Sequence, residues 1–251
     1  MEFQPDWKES AAFPEIAPHE IHLWRISQKG SPEALEELGA LLSPEERRRA
    51  ARFHRPADRE AFLRRRGQVR RILGACLDRD PRSFRFRAGP QGKPALEAGP
   101  STSRLRFNWS HSGDWALLAV GLDAEIGIDL ERIRPLADLM ALARRWFSPR
   151  ECGQLEALPA GERLTAFFLC WTRKEALLKA LGSGLSGRLD RFAVSLAPGE
   201  PARVLWTAEP FPGGLSWGLH ALEAAPGYPA ALASPLLRPR LLSHGTPCLA
   251  R

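Results

Sequence analysis

An α+β chain made of two similar α/β halves is the fold this sequence predicts, and three observations predict it. A strand followed by helices and then several short strands occurs twice along the 251 residues. Each helical stretch carries Ser-Pro start signals, at Ser31-Pro32 and Ser43-Pro44 and again at Ser148-Pro149. Hydrophobic residues make up 44 % of the chain and charged residues 26 %, so a folded core is expected rather than disorder.

Residues 1–20 read as an irregular lead-in. In the first half, 21–122, Ile21–Ser27 alternates as a strand does, and the two Ser-Pro signals open two helices. Phe62, Val69, Ile72, Leu73 and Cys76 then recur at near-helical spacing opposite a basic face. Short strands follow at "SFRFR", "PALE", "RLRFNWS" and "WALLAVGL". In the second half, 123–235, "EIGIDLERI" is a strand and "LADLMALARRWF" and "SPRECGQLEAL" are helices. A long helix runs from about Glu162 to Leu181 into the glycine-rich stop "GSGL". Strands return at "RFAVSL", "ARVLW", "LSWGLHAL" and "YPAALAS". The tail, 236–251, has no clear period and is expected to be loose.

No apolar run reaches the length of a membrane span, and the polar, acidic start has no leader pattern, so a cytoplasmic location is expected. Cys76, Cys152, Cys170 and Cys248 are scattered without a C-x-x-C pair, which argues against a zinc knuckle or a disulfide framework. A net charge of +7 implies an anionic partner. Charge alone does not choose between nucleic acid, a phosphorylated small molecule and an acidic protein. The basic run Arg47–Arg71 suits a solvated helix face, a polyphosphate or a nucleic acid.

Four stretches could carry chemistry. On a strand, Gly127, Asp129 and Glu131 share one face, their carboxylates about 7 Å apart. Like charges that close suit either a wet face or a hard divalent cation such as Mg²⁺. Gly127 on that face permits close backbone approach. In "FNWSHSGDW", Asn108, Ser110 and Ser112 alternate against Trp109 and His111. Ser110 and His111 thus make a poor nucleophile–base pair but, at a turn, a plausible set of phosphate donors beside a structural alternative. "AGPQGKPAL" is a turn, built from Gly89, Pro90, Gly92 and Pro94, that presents Lys93 without a full P-loop pattern. Finally, Trp171, Glu175 and Lys179 stand four residues apart on the long helix and share one stripe. That spacing equally fits a half-buried Trp beside a surface Glu/Lys pair.

Taken together, "GIDLERI", "RRWFSPRE" and "FFLCWTRKEALLKALGSGL" resemble the 4'-phosphopantetheinyl transferases, specifically the surfactin-synthetase-activating, Sfp-like type. The family pattern is a G-[IV]-D-x-E strand, an F-[ST]-x-x-E segment and W-x-x-K-E-[AS]-x-x-K-x-x-G. This chain supplies Gly127, Asp129 and Glu131, then Phe147, Ser148 and Glu151, then Trp171, Lys174, Glu175, Lys179 and Gly182. Upstream, "GKP", "FNWSHS" and "SPEERRRAARF" match as well, and the resemblance spans about residues 43–196.

The resemblance implies an enzyme that moves the phosphopantetheine arm of coenzyme A onto a serine of an apo acyl or peptidyl carrier protein, releasing adenosine 3',5'-bisphosphate. It implies a fold of two halves related by a pseudo-two-fold, with coenzyme A between them. It makes Asp129, Glu131 and Glu175 the carboxylates around Mg²⁺, with Mn²⁺ an alternative. Glu175 becomes the general base, Lys179 a phosphate contact that steadies the leaving group, and His111 their catalytic neighbour. Arg49, Arg52, Arg87, Lys93, Asn108, Ser110 and His111 become coenzyme A contacts, beside Asp129, Glu175 and Lys179. Trp171 packs its helix. Glu46 departs from the pattern, which carries a lysine there, so Arg52 is the expected substitute. A monomer is implied, with no membrane or nucleic-acid partner, and the carriers include those of fatty-acid, polyketide and nonribosomal-peptide synthesis. The carrier is expected near Arg144, Arg145 and the loop after Phe147. The rival reading, a basic nucleic-acid-binding protein, gives no role to Asp129, Glu131 and Glu175.

Overall fold

The computed structural model describes residues 3–8, 13–88, 93–97, 104–182 and 188–247. Gly89, Pro90 and Gly92 of the expected turn and Ser183–Leu185 of the glycine-rich stop lie outside the described residues. The first half runs β1 (Glu20–Ser27), α1 (Pro32–Ala40), α2 (Pro44–Ala50), α3 (Pro56–Leu77), β2 (Phe86–Ala88), β3 (Pro94–Leu96), β4 (Leu105–Ser112) and β5 (Trp115–Leu122). The second runs β6 (Gly127–Leu130), α4 (Leu139–Trp146), α5 (Pro149–Ala157), α6 (Ala160–Leu181), β7 (Phe192–Val194), β8 (Val204–Thr207), β9 (Gly218–Ala225) and β10 (Tyr228–Ser234). Each half is thus a strand, three helices and four strands. The connectivity repeats too: β1-β5-β4 in one sheet, β6-β10-β9 in the other, and a two-stranded ribbon in each, β2-β3 and β7-β8.

Local chemistry accounts for the helix starts. Ser31 Oγ accepts from Ala34 N, while Ser43 with Glu46 and Ser148 with Glu151 close full capping boxes, each with Pro in the first turn. β4 and β5 are joined by Gly113-Asp114, where Gly113 takes the positive φ (+55°) of a two-residue hairpin turn. The core has three main parts beside a small cluster of Leu42, Ala50 and Phe62. Trp24, Ile26, Val69, Ile72 and Leu73 pack the first sheet onto α3. Phe167, Phe168, Leu177, Phe192 and Val194 surround α6. Leu23, Leu117, Ile128, Leu130 and Leu232 are buried between the two sheets. Trp171 stacks on Phe167 one turn earlier in α6 and meets Trp146 and Phe147 at the end of α4, which packs the two helices together.

Two expectations change. The tail is not loose as far as Pro247: Arg240–His244 forms β11, which pairs in parallel with β1 at the edge of the first sheet. Thr246 Oγ1 then donates to Arg25 O and accepts from Ser27 N, and Arg71 and Gln68 of α3 donate to Pro247 O. These contacts are hundreds of residues apart in sequence and leave no local signal. Nor is the arginine run of α3 simply a solvated face. Arg64 donates to Gly30 O and Ser31 O, and Arg70 pairs with Glu46 and donates to Pro81 O and Phe84 O. Buried backbone carbonyls need donors, and the planar guanidinium supplies several at once. Among the described residues, no helix is long and apolar enough to cross a membrane.

Candidate active site

β4 and β6, one from each half, lie side by side where the two sheets meet. Asn108 Oδ1 accepts from Ile128 N at 2.9 Å, Ser110 Oγ donates to Asp129 Oδ1 at 2.8 Å, and Ser112 Oγ donates to Glu131 Oε2 at 2.8 Å. The strand alternation therefore aims three polar residues of β4 at β6, Asn108 at a backbone N–H and Ser110 and Ser112 at the carboxylates of Asp129 and of Glu131 just past the strand.

α6 packs directly across β6, and Gly127 makes that approach possible. A Cβ there would stand 2.0 Å from Ala176 O and 2.3 Å from Ala180 N. The carboxylate face of β6 is thus a packed interface, which excludes the wet-face reading for Gly127 and Asp129; Asp129 is only 4 % exposed. At this distance α6 delivers Lys179 Nζ to Asp129 Oδ1 (2.6 Å), Ser110 Oγ (3.0 Å) and Ile128 O (3.3 Å). The other oxygen, Asp129 Oδ2, is buried without a hydrogen-bond partner.

Glu175, one helical turn before Lys179, lines an open cleft of about 540 Å³ with Lys93, Asn108, Trp109, Ser110, His111 and Lys179. Burial, then the charge of Asp129, raises the Glu175 pKa above its ordinary value; Lys179 opposes this and Glu131 adds to it. Glu131 is raised as well, by burial first, against the hydrogen bond from Ser112. His111 stands at the exposed rim. Desolvation, then the cations Arg65 and Lys179, holds its imidazole down to about 4, so the ring is neutral at pH 7.

The remaining expected contacts divide. Lys93 lines the cleft and pairs with Glu125 at 2.8 Å. Arg49 and Arg52 line a second basin with Glu45, Arg48 and Phe53, apart from the Ser110–Lys179 cleft. Arg87 is exposed on β2 and lines neither. Glu46 is a structural residue that caps α2 and pairs with Arg66 (2.6 Å) and Arg70 (2.7 Å). Lys174 and Glu151 are wholly buried and pair at 2.6 Å, so these motif residues bolt α5 to α6 away from the cleft.

Sequence reasoning noted Ser112 in the strand alternation but gave it no role, and it passed over Arg65 and Arg66. The alternation that selected Asn108 and Ser110 reaches Ser112 too. Arg65 is half-buried; desolvation, then the neighbouring cations Arg66 and Arg49, lowers its pKa to about 10, and Arg66 stacks over Trp109 of the cleft wall.

Among the described residues, no three His, Cys, Asp or Glu side chains stand gathered to hold a metal ion. The donors nonetheless fit a hard cation, because Asp129 Oδ2 is buried and unsatisfied beside two carboxylates held above their ordinary pKa.

Comparison with known proteins decides the family. Residues 125–233 match the model of the 4'-phosphopantetheinyl transferase superfamily, and residues 24–122 match that of the 4'-phosphopantetheinyl transferase N-terminal region. The 4'-phosphopantetheinyl transferase HetI of Nostoc sp. is 44 % identical over 185 residues, 74 % of this chain and 78 % of that protein. The chain belongs to the 4'-phosphopantetheinyl transferase superfamily. The transferase Sfp of Bacillus subtilis is 34 % identical over 167 residues, 66 % of this chain and 71 % of Sfp. In this transferase the two matched regions meet along the β4–β6 seam, where the cleft lies.

Proposed function

We propose that the chain transfers the 4'-phosphopantetheine arm of coenzyme A to a serine of an apo acyl or peptidyl carrier protein and releases adenosine 3',5'-bisphosphate. The observation that carries this reading is the cleft itself. It sets cationic and neutral donors (Lys93, Ser110, His111, Lys179) against Glu175 in a transferase of known family.

The donors suit the pyrophosphate of coenzyme A, and the backbone and side chains of β4 orient it. The carrier serine Oγ attacks the phosphorus that bears the pantetheine arm. A P–O bond forms, and the bond to the adenosine 3',5'-bisphosphate oxygen breaks. Glu175 takes the serine proton; burial and the charge of Asp129 raise its pKa in the metal-free site, which makes it a stronger base than an exposed carboxylate. Lys179 stabilises charge on the departing phosphate. Asp129, Glu131 and Glu175 would hold Mg²⁺ or Mn²⁺, which would offset charge developing on the pyrophosphate. Lys93 gives up Glu125 to reach a phosphate, and Arg49 and Arg52 take the outlying phosphate in their basin. Arg87 has no such support from the structure.

The carrier approaches near Arg144, Arg145 and the segment after Phe147, where basic charge suits an acidic partner. We assign the protein a monomeric, cytoplasmic role. The nucleic-acid alternative has no support, since much of the α3 arginine run is engaged internally.

Intact-mass measurement of apo carriers after incubation with coenzyme A and Mg²⁺ tests the reading. A gain of one phosphopantetheine is expected, lost with EDTA and reduced at least about 100-fold by Glu175→Gln. Arg145→Glu should raise the carrier KM at low salt; an unchanged KM removes the docking assignment. No gain on any of a panel of carriers would overturn the function.

A further inference from the structure

Asp129 is the most constrained carboxylate of the seam. Oδ1 receives Ser110 Oγ at 2.8 Å and Lys179 Nζ at 2.6 Å, while Oδ2 is buried with no partner. Lys179 is itself held by Ser110 Oγ and Ile128 O, so its ammonium is seated rather than swinging free. Yet it also lines the cleft, with part of its side chain open to solvent (29 % exposed). A flexible four-carbon stem can carry that ammonium a few ångströms outward without moving α6.

We propose that Lys179 is a place-holding cation: it neutralises Asp129 in the free protein, opposes a divalent ion there, and releases the carboxylate when a phosphate of coenzyme A draws the ammonium into the cleft. The physical basis is charge balance. A buried carboxylate needs a counter-charge, and Lys179 supplies one within hydrogen-bond distance. A divalent cation on the same carboxylate would face the ammonium at close range, and like charges that near repel strongly in a half-buried site. A phosphate relieves both penalties, because it pairs with the displaced ammonium. Binding of coenzyme A and of the metal is thereby coupled, and each tightens the other by the same factor. The inference rests on the transferase reading of this cleft.

Mn²⁺ is the probe, with free ion measured by electron paramagnetic resonance in titrations of the full chain. Lys179→Met should bind Mn²⁺ at least about tenfold more tightly than wild type without coenzyme A, and should gain the larger rise in Tm on Mn²⁺ addition. Coenzyme A supplies phosphate oxygens in both proteins, so it should tighten Mn²⁺ in both. The factor should be larger in wild type, where it also removes Lys179. If Lys179→Met is poorly folded by circular dichroism, Lys179→Gln, which keeps a donor without the charge, gives the same comparison. Equal or weaker Mn²⁺ binding by the folded variant, or equal enhancement by coenzyme A in both proteins, overturns the proposal. Carrier modification by wild type is scored separately. If it occurs and the Mn²⁺ comparison fails, only the place-holding role falls; if it does not occur, the transferase reading falls.

Discussion

Each half opens its second helix with a Ser-Pro capping box whose glutamate also binds a cation on a 22-residue helix. In the second half the device is sealed. Glu151 and Lys174 are both 0 % exposed, and Lys174 also donates to Phe192 O while Glu151 accepts from Ser148 N and Val194 N. In the first half it is open toward the cleft. Glu46 shares itself between Arg70, which runs inward to Pro81 O and Phe84 O, and Arg66, which stacks on Phe86 and Trp109. One local motif thus serves as a bolt in one half and as a brace for the cleft wall in the other. The difference comes from the long helix: lysine offers one compact charge, arginine a plane that pairs and stacks together.

Lys174→Met should do the most damage, because it strands the Glu151 carboxylate in an apolar interior. A loss of about 3–5 kcal/mol is expected in urea unfolding. If it costs no more than Glu46→Gln, the bolt and the brace are equivalent and the contrast is wrong. Gly127→Ala tests the packing that sets the metal-ligand candidates against α6. Overpacking should cost about 3 kcal/mol, with transfer activity falling further than stability alone explains. Glu46→Gln should cost about 2 kcal/mol and raise the KM for coenzyme A more than it lowers kcat, through the loosened Arg66–Trp109 wall. An unchanged KM would reduce Glu46 to a helix cap.

The smallest effect concerns the β1–β11 seam, which has no counterpart in the second half. His22 Nδ1 and His244 Nε2 lie 3.1 Å apart, and both rings stack with Trp24. Burial, then the neighbouring His22, holds His244 down to about 4 against 6.5 when unfolded. His22 is lowered too, by burial first. The unfolded chain therefore binds more protons between those values, so stability is full above pH 6.5 and declines as pH falls toward 4. Melting temperatures of wild type and His244→Gln across that range should converge in acid. Parallel curves would exclude the histidine pair as the cause.

The sequence alone marked every element from β1 to β10, because strand alternation, helical spacing and Ser-Pro caps are local signals. Spacing put Glu175 and Lys179 on one stripe of a helix, while Asp129 joined them only through the family resemblance of the motifs. Three matters required the tertiary structure. β11 exists because β1 offers an edge more than two hundred residues away, and its own sequence carries no period. Glu46, Lys174 and Glu151 proved to be structural, since a charged residue looks the same in sequence whether its partner is a ligand or a buried side chain. And Lys179, expected as a phosphate contact, also sits on Asp129, a position that depends on how closely α6 can cross β6, a distance set by the missing side chain of Gly127. Local periodicity determines which elements form; the charges they share are decided only when two elements distant in the chain come into contact.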